Sequence, residues 1–205
     1  MSLSIYQLKP RFQQMLRPLL GALQRAGVTP NQVTLAAMAM SLAYGGALAM
    51  SPRSSALWFG LPLFLLLRMA LNAIDGMLAN ASGNKTRLGA LLNELCDQVS
   101  DVALYLPFAL AAGVAPMLAV LAVVAGLLAE FAGVLAQAIG APRGFEGPMG
   151  KSDRAFAFGL IALLLGAGAD PAWCNGLLVL VLLLSALTVF NRLRRALHLS
   201  GPATP

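Results

Sequence analysis

The sequence predicts an all-α membrane protein with six transmembrane helices, preceded by an amphipathic helix that lies in the membrane interface. Hydrophobic residues make up 59% of the chain and charged residues only 11%, whereas about a quarter of the residues in soluble domains are charged. Apolar stretches close to the length of a membrane span recur from residue 33 to residue 197. These stretches are continuous rather than alternating, which disfavours a β-barrel.

The elements follow in order along the chain. Between Ile5 and Leu23, apolar residues recur every three or four positions with basic and polar residues between them, which is typical of an interfacial helix. Pro10 and Pro18 predict a break or kink in it. We divide the chain into an interfacial segment at 1–28, a six-helix domain at 29–198 and a short tail at 199–205. The predicted spans are about 33–50, 56–79, 88–112, 117–139, 155–169 and 177–190, the last extending toward Leu197.

The basic residues are distributed unequally between the two sides of such a bundle. With six spans, twelve of the 14 Lys and Arg residues fall on one side, Arg53 alone falls on the other, and Arg68 lies within the second span. Cytoplasmic loops are the ones enriched in Lys and Arg, so both termini are predicted to be cytoplasmic in a multi-pass cell (inner) membrane protein. This asymmetry, together with attraction to anionic lipids, explains the net charge of +6 better than nucleic-acid binding does.

The acidic residues are concentrated in one stretch, because half of the eight acids lie between residues 72 and 101. Asn72 and Asp75 are three positions apart and share a helix face. On the next span, Asn93, Asp97 and Asp101 follow at intervals of four, with Glu94 at the margin of that face. A short loop makes the two helices antiparallel neighbours, so the two faces are predicted to converge near the cytoplasmic surface.

Converging oxygen ligands of this kind are typical of a hard divalent cation. Mg²⁺ or Mn²⁺ is favoured over zinc, because Cys96, Cys174 and the single histidine, His198, show no zinc-ligand spacing. Lys85 and Arg87 in the neighbouring loop indicate a diphosphate bridged by the ion. The candidate metal ligands are Asn72, Asp75, Asn93, Glu94, Asp97 and Asp101.

The same stretch resembles the signature of the CDP-alcohol phosphatidyltransferase family, D-x2-D-G-x2-A-R-x8-G-x3-D-x3-D. In this chain it reads N-AI-D-G-ML-A-N-ASGNKTRL-G-ALL-N-ELC-D, from residue 72 to residue 97. Every spacing matches, and the resemblance extends to a TPNxxT opening of the first span at residues 29–34. The signature residues retained are Asp75, Gly76, Ala79, Gly89 and Asp97.

The resemblance implies a membrane enzyme that transfers a phosphatidyl group from a CDP-linked donor, such as CDP-diacylglycerol, to an alcohol acceptor with release of CMP. It also implies Mg²⁺ or Mn²⁺, membrane lipid substrates and a homodimer. By position, Asp75 is a metal ligand, and Asp97 is either a ligand or the base that deprotonates the acceptor. The residues assigned to the CDP group are Asn31, Thr34, Gly76, Ala79, Asn80, Arg87 and Gly89.

Three positions depart from the signature, since Asn72 and Asn93 replace aspartates and Asn80 replaces the arginine. Asparagine offers a neutral carbonyl oxygen, so it can ligate a cation but brings no charge. Two carboxylates alone would hold a dinuclear cation site weakly. We hypothesise that Glu94 and Asp101 restore the number of carboxylates and leave a rearranged site or a single-metal site. The catalytic candidates are Asp97 and Asp101. The alternative is that both acids pair with Arg68 or surround a water pocket.

Other polar residues have two interpretations each. Arg68, one turn before Asn72, either holds a phosphate or neutralises carboxylate charge. Glu130 is an acid within a span, where it is either functional or an interhelical partner. Lys151 and Arg154, at the glycine-rich start of the fifth span, suit a phosphate or polar acceptor, or they are ordinary cytoplasmic charge.

The composition and motifs therefore predict a phosphotransferase of phospholipid biosynthesis. A catalytically impaired relative that binds lipid or nucleotide as a scaffold is the alternative, since two motif aspartates are missing. A transporter is disfavoured because the chain has no internal repeat and its acids lie at one membrane face.

Overall fold

The computed structural model describes residues 5–81, 83 and 85–200, with side chains from Gln14 onward. Within these ranges the protein is all-α, as predicted. Two short 3₁₀ segments, Leu106–Leu110 and Ala136–Ile139, extend the fourth and fifth helices. The helices are α1 (Ile5–Arg25), α2 (Pro30–Met50), α3 (Ser55–Ala81), α4 (Arg87–Tyr105), α5 (Pro116–Leu135), α6 (Lys151–Gly166) and α7 (Pro171–Leu199).

The first helix was predicted to break or kink at Pro10 and Pro18. The break is wrong, because α1 continues through both prolines, and the kink stays a prediction. Each proline removes one backbone donor, and the intact turns on either side maintain the helix. The third predicted span also ends early. Regular α-helix stops at Tyr105, where Pro107 follows, and a 3₁₀ segment carries the chain to Leu110.

Four helices within the described ranges are long and apolar enough to cross a membrane: α2, α3, α7, and α5 with its 3₁₀ extension. Helix α4 has 19 residues but contains Arg87 and three acids, and α6 has only 16 residues and begins with three charged positions. The chain is therefore a membrane protein, while the count of six spans stays a prediction. The predicted division at residues 28 and 198 also stays a prediction.

The contacts between helices divide the chain into two compact units. The first unit comprises residues 1–43 and 66–100, and its apolar core joins three helices. Val33 of α2 packs with Ile74 and Leu78 of α3, and α1 covers them with partly buried leucines. The predicted amphipathic character of α1 thus has a partner inside the protein, where Leu16, Leu20 and Leu23 contact this core.

The second unit comprises residues 44–65 and 101–205. Its core is rich in aromatic residues: Tyr105 stacks on Phe158 with ring centroids 4.1 Å apart, and Trp58 meets Phe108 edge-on at 4.8 Å. Gly45 permits a close approach of α2 to α4, since a β-carbon there would lie 2.6 Å from the carbonyl carbon of Ala103.

Candidate functional site

Asp75 is held by the start of α2. Thr29 caps that helix, because its hydroxyl accepts a hydrogen bond from the backbone N–H of Gln32 at 3.3 Å and Gln32 Oε1 accepts from the N–H of Thr29 at 2.9 Å. This capping box sets the register of the next turn, where the Thr34 hydroxyl donates to Asp75 Oδ2 at 2.8 Å. Thr34 and Asp75 are each 5% exposed, so the carboxylate has a fixed orientation.

Asp97 is held from α3. The side-chain amide of Asn72 donates to Asp97 Oδ1 at 2.9 Å, and Arg68 Nη2 donates to the backbone carbonyl of Asp97 at 2.9 Å. Arg68 Nη2 also lies 3.6 Å from Asp97 Oδ1. The predicted convergence of the two polar faces is therefore present in the first unit, with a guanidinium beside the carboxylate.

A cavity of about 210 Å³ opens in the first unit beside Asp75. Most of the residues that the signature assigns to the CDP group line it, whereas Asn80 and Arg87 are exposed and do not. Thr86 and Ala90 line it as well, and no sequence signal marked them. The full lining is Pro30, Asn31, Thr34, Asp75, Gly76, Ala79, Lys85, Thr86, Gly89, Ala90 and Asn93.

The two signature glycines differ in their surroundings. A β-carbon at Gly89 would lie 3.1 Å from Asn31 Oδ1 and 3.1 Å from Thr86 Oγ1, so close packing already favours glycine there. A β-carbon at Gly76 would meet no described protein atom within 4 Å. Packing within the described chain therefore does not require Gly76 to be small, and its place on the cavity wall favours ligand approach.

The donor set of this unit suits a hard divalent cation. Asp75 and Asp97 provide carboxylates, Asn72 and Asn93 provide amide oxygens, and water and substrate oxygens complete the shell that Mg²⁺ prefers. Among the described residues, no three Asp, Glu, His or Cys side chains lie together so as to hold a metal ion. The residues present therefore fit a cation that depends on amide and substrate oxygens. The ligand roles of Asn72, Asp75, Asn93, half-buried Glu94 and Asp97 all stay predictions.

Asp101 belongs to the second unit, where it forms a buried ion pair. Arg154 Nη2 donates to Asp101 Oδ2 at 3.1 Å, and Arg154 Nη1 donates to Glu130 Oε1 at 3.1 Å. The side chains of Arg154, Asp101 and Glu130 are 2%, 6% and 7% exposed. These contacts favour a structural pairing for Asp101, with Arg154 as a partner that the spacing did not predict, over a metal-ligand role. They likewise commit Arg154, predicted to bind acceptor phosphate, to two carboxylates.

The network extends to α7 and to the loop before α6. Arg192 Nη1 lies 3.3 Å from Glu130 Oε2, and Arg192 Nε donates to the carbonyl oxygen of Glu146 at 3.0 Å. Arg143 Nη2 lies 3.5 Å from the same Glu130 oxygen. Arg192 is one of the twelve basic residues that the charge distribution places on the cytoplasmic side. Its sequence signal is a row of small or polar residues at helical spacing, Ser185, Thr188, Arg192 and Ala196, all of which are buried in α7.

The start of α6 is capped by its own sequence. Asp153 Oδ2 accepts a hydrogen bond from the backbone N–H of Gly150 at 3.0 Å, and Lys151 at the first helical position is half-buried.

A second cavity of about 210 Å³ lies in the second unit. It is lined by Ala136, Pro142, Arg143, Gly144, Phe145, Glu146, Arg192, Arg195, Ala196 and Leu199.

Comparison with known proteins decides the family. The sequence pattern of the CDP-alcohol phosphatidyltransferase family matches residues 27–195. The chain belongs to the CDP-alcohol phosphatidyltransferase family. It is 44% identical to the inner membrane protein YnbA of Escherichia coli (strain K12) over 97% of this chain and 99% of that protein. It is 31% identical to the phosphatidylinositol phosphate synthase of Mycobacterium marinum over 93% of this chain and 82% of that one.

A solved structure has the same fold. The phosphatidylinositol phosphate synthase of Mycobacterium tuberculosis, in complex with manganese and citrate, superposes with a TM-score of 0.78 over 92% of each chain at 22% identity. The same enzyme has been solved with CDP-DAG bound, and that structure superposes with a TM-score of 0.71. The predicted family and fold class are therefore confirmed.

Proposed function

We propose that the chain transfers a phosphatidyl group from CDP-diacylglycerol to the hydroxyl of a polar alcohol, releasing CMP. The observation that carries this proposal is the first cavity, where Thr34-bound Asp75 and signature residues of α3 and α4 line one wall. The relative from M. tuberculosis binds CDP-DAG and manganese, and this donor and ion fit the oxygen-rich residues found here. Mg²⁺ or Mn²⁺ would neutralise the diphosphate of the donor when bound.

The chain's own residues have distinct tasks in this reaction. Asp75, oriented by Thr34, is the principal carboxylate ligand, and Gly76 leaves room for the cytidine. To Asp97, which contacts Asn72 and Arg68, we assign the task of accepting the proton of the acceptor hydroxyl. As the acceptor oxygen bonds to the phosphorus that carries the diacylglycerol, the bond from that phosphorus to the oxygen of CMP breaks and CMP leaves.

The acceptor is a polar alcohol. Similarity to the phosphatidylinositol phosphate synthase of M. marinum, 31% identical to this chain, favours an acceptor that bears a phosphate. Inositol phosphate and glycerol phosphate are therefore the first candidates, followed by serine and a second lipid. We also propose that both termini face the cytoplasm, as the Lys and Arg distribution implies, and the predicted homodimer stays a prediction.

Release of CMP tests the function directly. Purified protein in detergent, supplied with CDP-diacylglycerol, Mn²⁺ and each acceptor in turn, should release CMP with one acceptor and stop when the ion is chelated. The lipid product should contain that acceptor by mass spectrometry. If the protein binds CDP-diacylglycerol but no acceptor elicits CMP, the scaffold alternative replaces the enzymatic proposal.

Loss of the Thr34 hydroxyl should weaken this reaction without abolishing it. In Thr34→Val the Asp75 carboxylate loses a buried hydrogen bond, and bonds to charged groups contribute about 1.5–3 kcal/mol. We expect kcat/KM for CDP-diacylglycerol to fall about 10- to 100-fold. Thr34→Ser keeps the hydroxyl and is the matched control, so equal losses in both variants would contradict the role assigned to this bond.

A further inference from the structure

The signature positions of the first unit carry too little negative charge to balance two divalent ions. The signature has four aspartates, whose four negative charges balance two divalent cations. This chain has neutral amides at two of those positions, Asn72 and Asn93, and keeps Asp75 and Asp97. The two remaining carboxylates balance one divalent cation.

Arg68 adds a fixed positive charge to the same place. It lies one turn before Asn72 on α3, and its side chain is 4% exposed. Its Nη2 approaches Asp97 through both the backbone oxygen at 2.9 Å and Oδ1 at 3.6 Å. A buried guanidinium is tolerated only where opposite charge and hydrogen bonds compensate its desolvation, and Asp97 provides both. A divalent ion placed on this side of Asp97 would be repelled by it.

The side-chain amide of Asn72 also disfavours a divalent ion beside Asp97. Its nitrogen, rather than its oxygen, faces Asp97 Oδ1 at 2.9 Å. Two donors of the protein, the Asn72 amide and the Arg68 guanidinium, therefore approach Asp97 Oδ1. A carboxylate at position 72 would repel Asp97 and would require a cation between the two acids.

We propose that this chain binds one divalent cation, at Asp75, and that the guanidinium of Arg68 takes the place of a second cation beside Asp97. The proposal rests on the proposed function, since the ion is that of the phosphatidyl transfer. Arg68 then determines how many divalent ions the site binds. Positive charge on the Asp97 side then comes from the protein itself and is independent of metal concentration.

The stoichiometry of Mn²⁺ tests this without relying on turnover. The full-length protein in detergent with CDP-diacylglycerol is titrated with Mn²⁺, and the free ion is followed by its electron paramagnetic resonance signal. We expect one tight Mn²⁺ per chain, with the spectrum of an isolated ion. Two ions per chain, or the broadened spectrum of a coupled pair, would overturn the inference even if CMP release showed that the function is right.

Variants separate the contribution of Arg68 from that of Asp75. Asp75→Asn should lose the tight Mn²⁺, whereas Arg68→Lys keeps the charge and should retain one ion. Arg68→Met combined with Asn72→Asp and Asn93→Asp restores four carboxylates without the guanidinium, and it should bind two. If that folded triple variant still binds one ion, Arg68 does not stand in for a cation. If the wild-type protein neither binds Mn²⁺ nor releases CMP, the proposed function fails together with this inference.

Discussion

Replacing Asp75 by asparagine should reduce Mn²⁺-dependent CMP release by about a thousandfold. A metal ion contributes several kcal/mol of charge stabilisation to phosphoryl transfer, and a loss of about 4 kcal/mol corresponds to a factor of a thousand in rate. Asparagine has the shape of aspartate, and its carbonyl oxygen can still accept the hydrogen bond of the Thr34 hydroxyl, so the fold should tolerate the change.

The measurement compares initial rates of CMP release over a range of Mn²⁺ concentrations. Asp170→Asn is the matched control, because that residue caps α7 in the second unit by accepting from the N–H of Ala172 at 2.8 Å, and asparagine caps helices as well. The control should keep the wild-type rate. If Asp75→Asn were as active as Asp170→Asn, the cavity of the first unit would not be the catalytic site.

Replacing Arg154 by methionine should destabilise the protein more than any change in the first unit. The substitution leaves the Asp101 and Glu130 carboxylates buried without the guanidinium that joins them. Breaking a buried ion pair by removal of one partner costs about 3–5 kcal/mol, because the remaining charge stays desolvated. For a domain of this size we expect a fall of roughly 6–20 °C in Tm, read from thermal unfolding in detergent.

Two further variants make this prediction specific. Arg194→Met removes an exposed arginine of the same unit and should leave Tm within about 2 °C of the wild type. Adding Asp101→Asn to Arg154→Met neutralises a buried carboxylate that has lost its guanidinium partner, whereas Glu130 keeps Arg192 at 3.3 Å and Arg143 at 3.5 Å. The double variant should regain part of the lost stability, and no recovery would show that the loss arises from packing rather than from charge.

Asp101→Asn alone separates the two roles considered for that residue. If Asp101 is an ion-pair partner, the variant should unfold at a lower temperature and bind Mn²⁺ with unchanged affinity. Weaker Mn²⁺ binding at unchanged Tm would instead support the metal-ligand role predicted from the helical spacing.

Much of the fold could be predicted because local properties determine it. Continuous apolar stretches can satisfy their backbone groups in a membrane only as helices, so the helices near residues 33–50 and 117–139 followed from hydropathy alone. The start of α2 is also set locally, since Thr29 and Gln32 cap it through hydrogen bonds three residues apart. The prolines of α1 led to the wrong prediction of a break. The hydrogen bond lost at each proline costs less free energy than the helix gains when its leucines contact the first-unit core.

Two carboxylates one helical turn apart, Asp97 and Asp101, have different partners in the structure. Spacing alone showed that Asp97 and Asp101 share a face of α4, and it assigned both to one metal site. The turn between them spans about 6 Å along the helix, which is enough to give the two acids different partners. Asp97 meets Asn72 and Arg68, whereas Asp101 meets Arg154, 53 positions away in the chain.

The sequence by itself determined the membrane class, the all-helical fold, the family and most of the residues of the first cavity, because periodicity, hydropathy and motif spacing are all read along one helix or one loop. Only the tertiary structure decided which charges neutralise each other. A buried ion pair depends on side chains that meet within about 4 Å from helices distant in sequence, and spacing along a single helix carries no information about the partner.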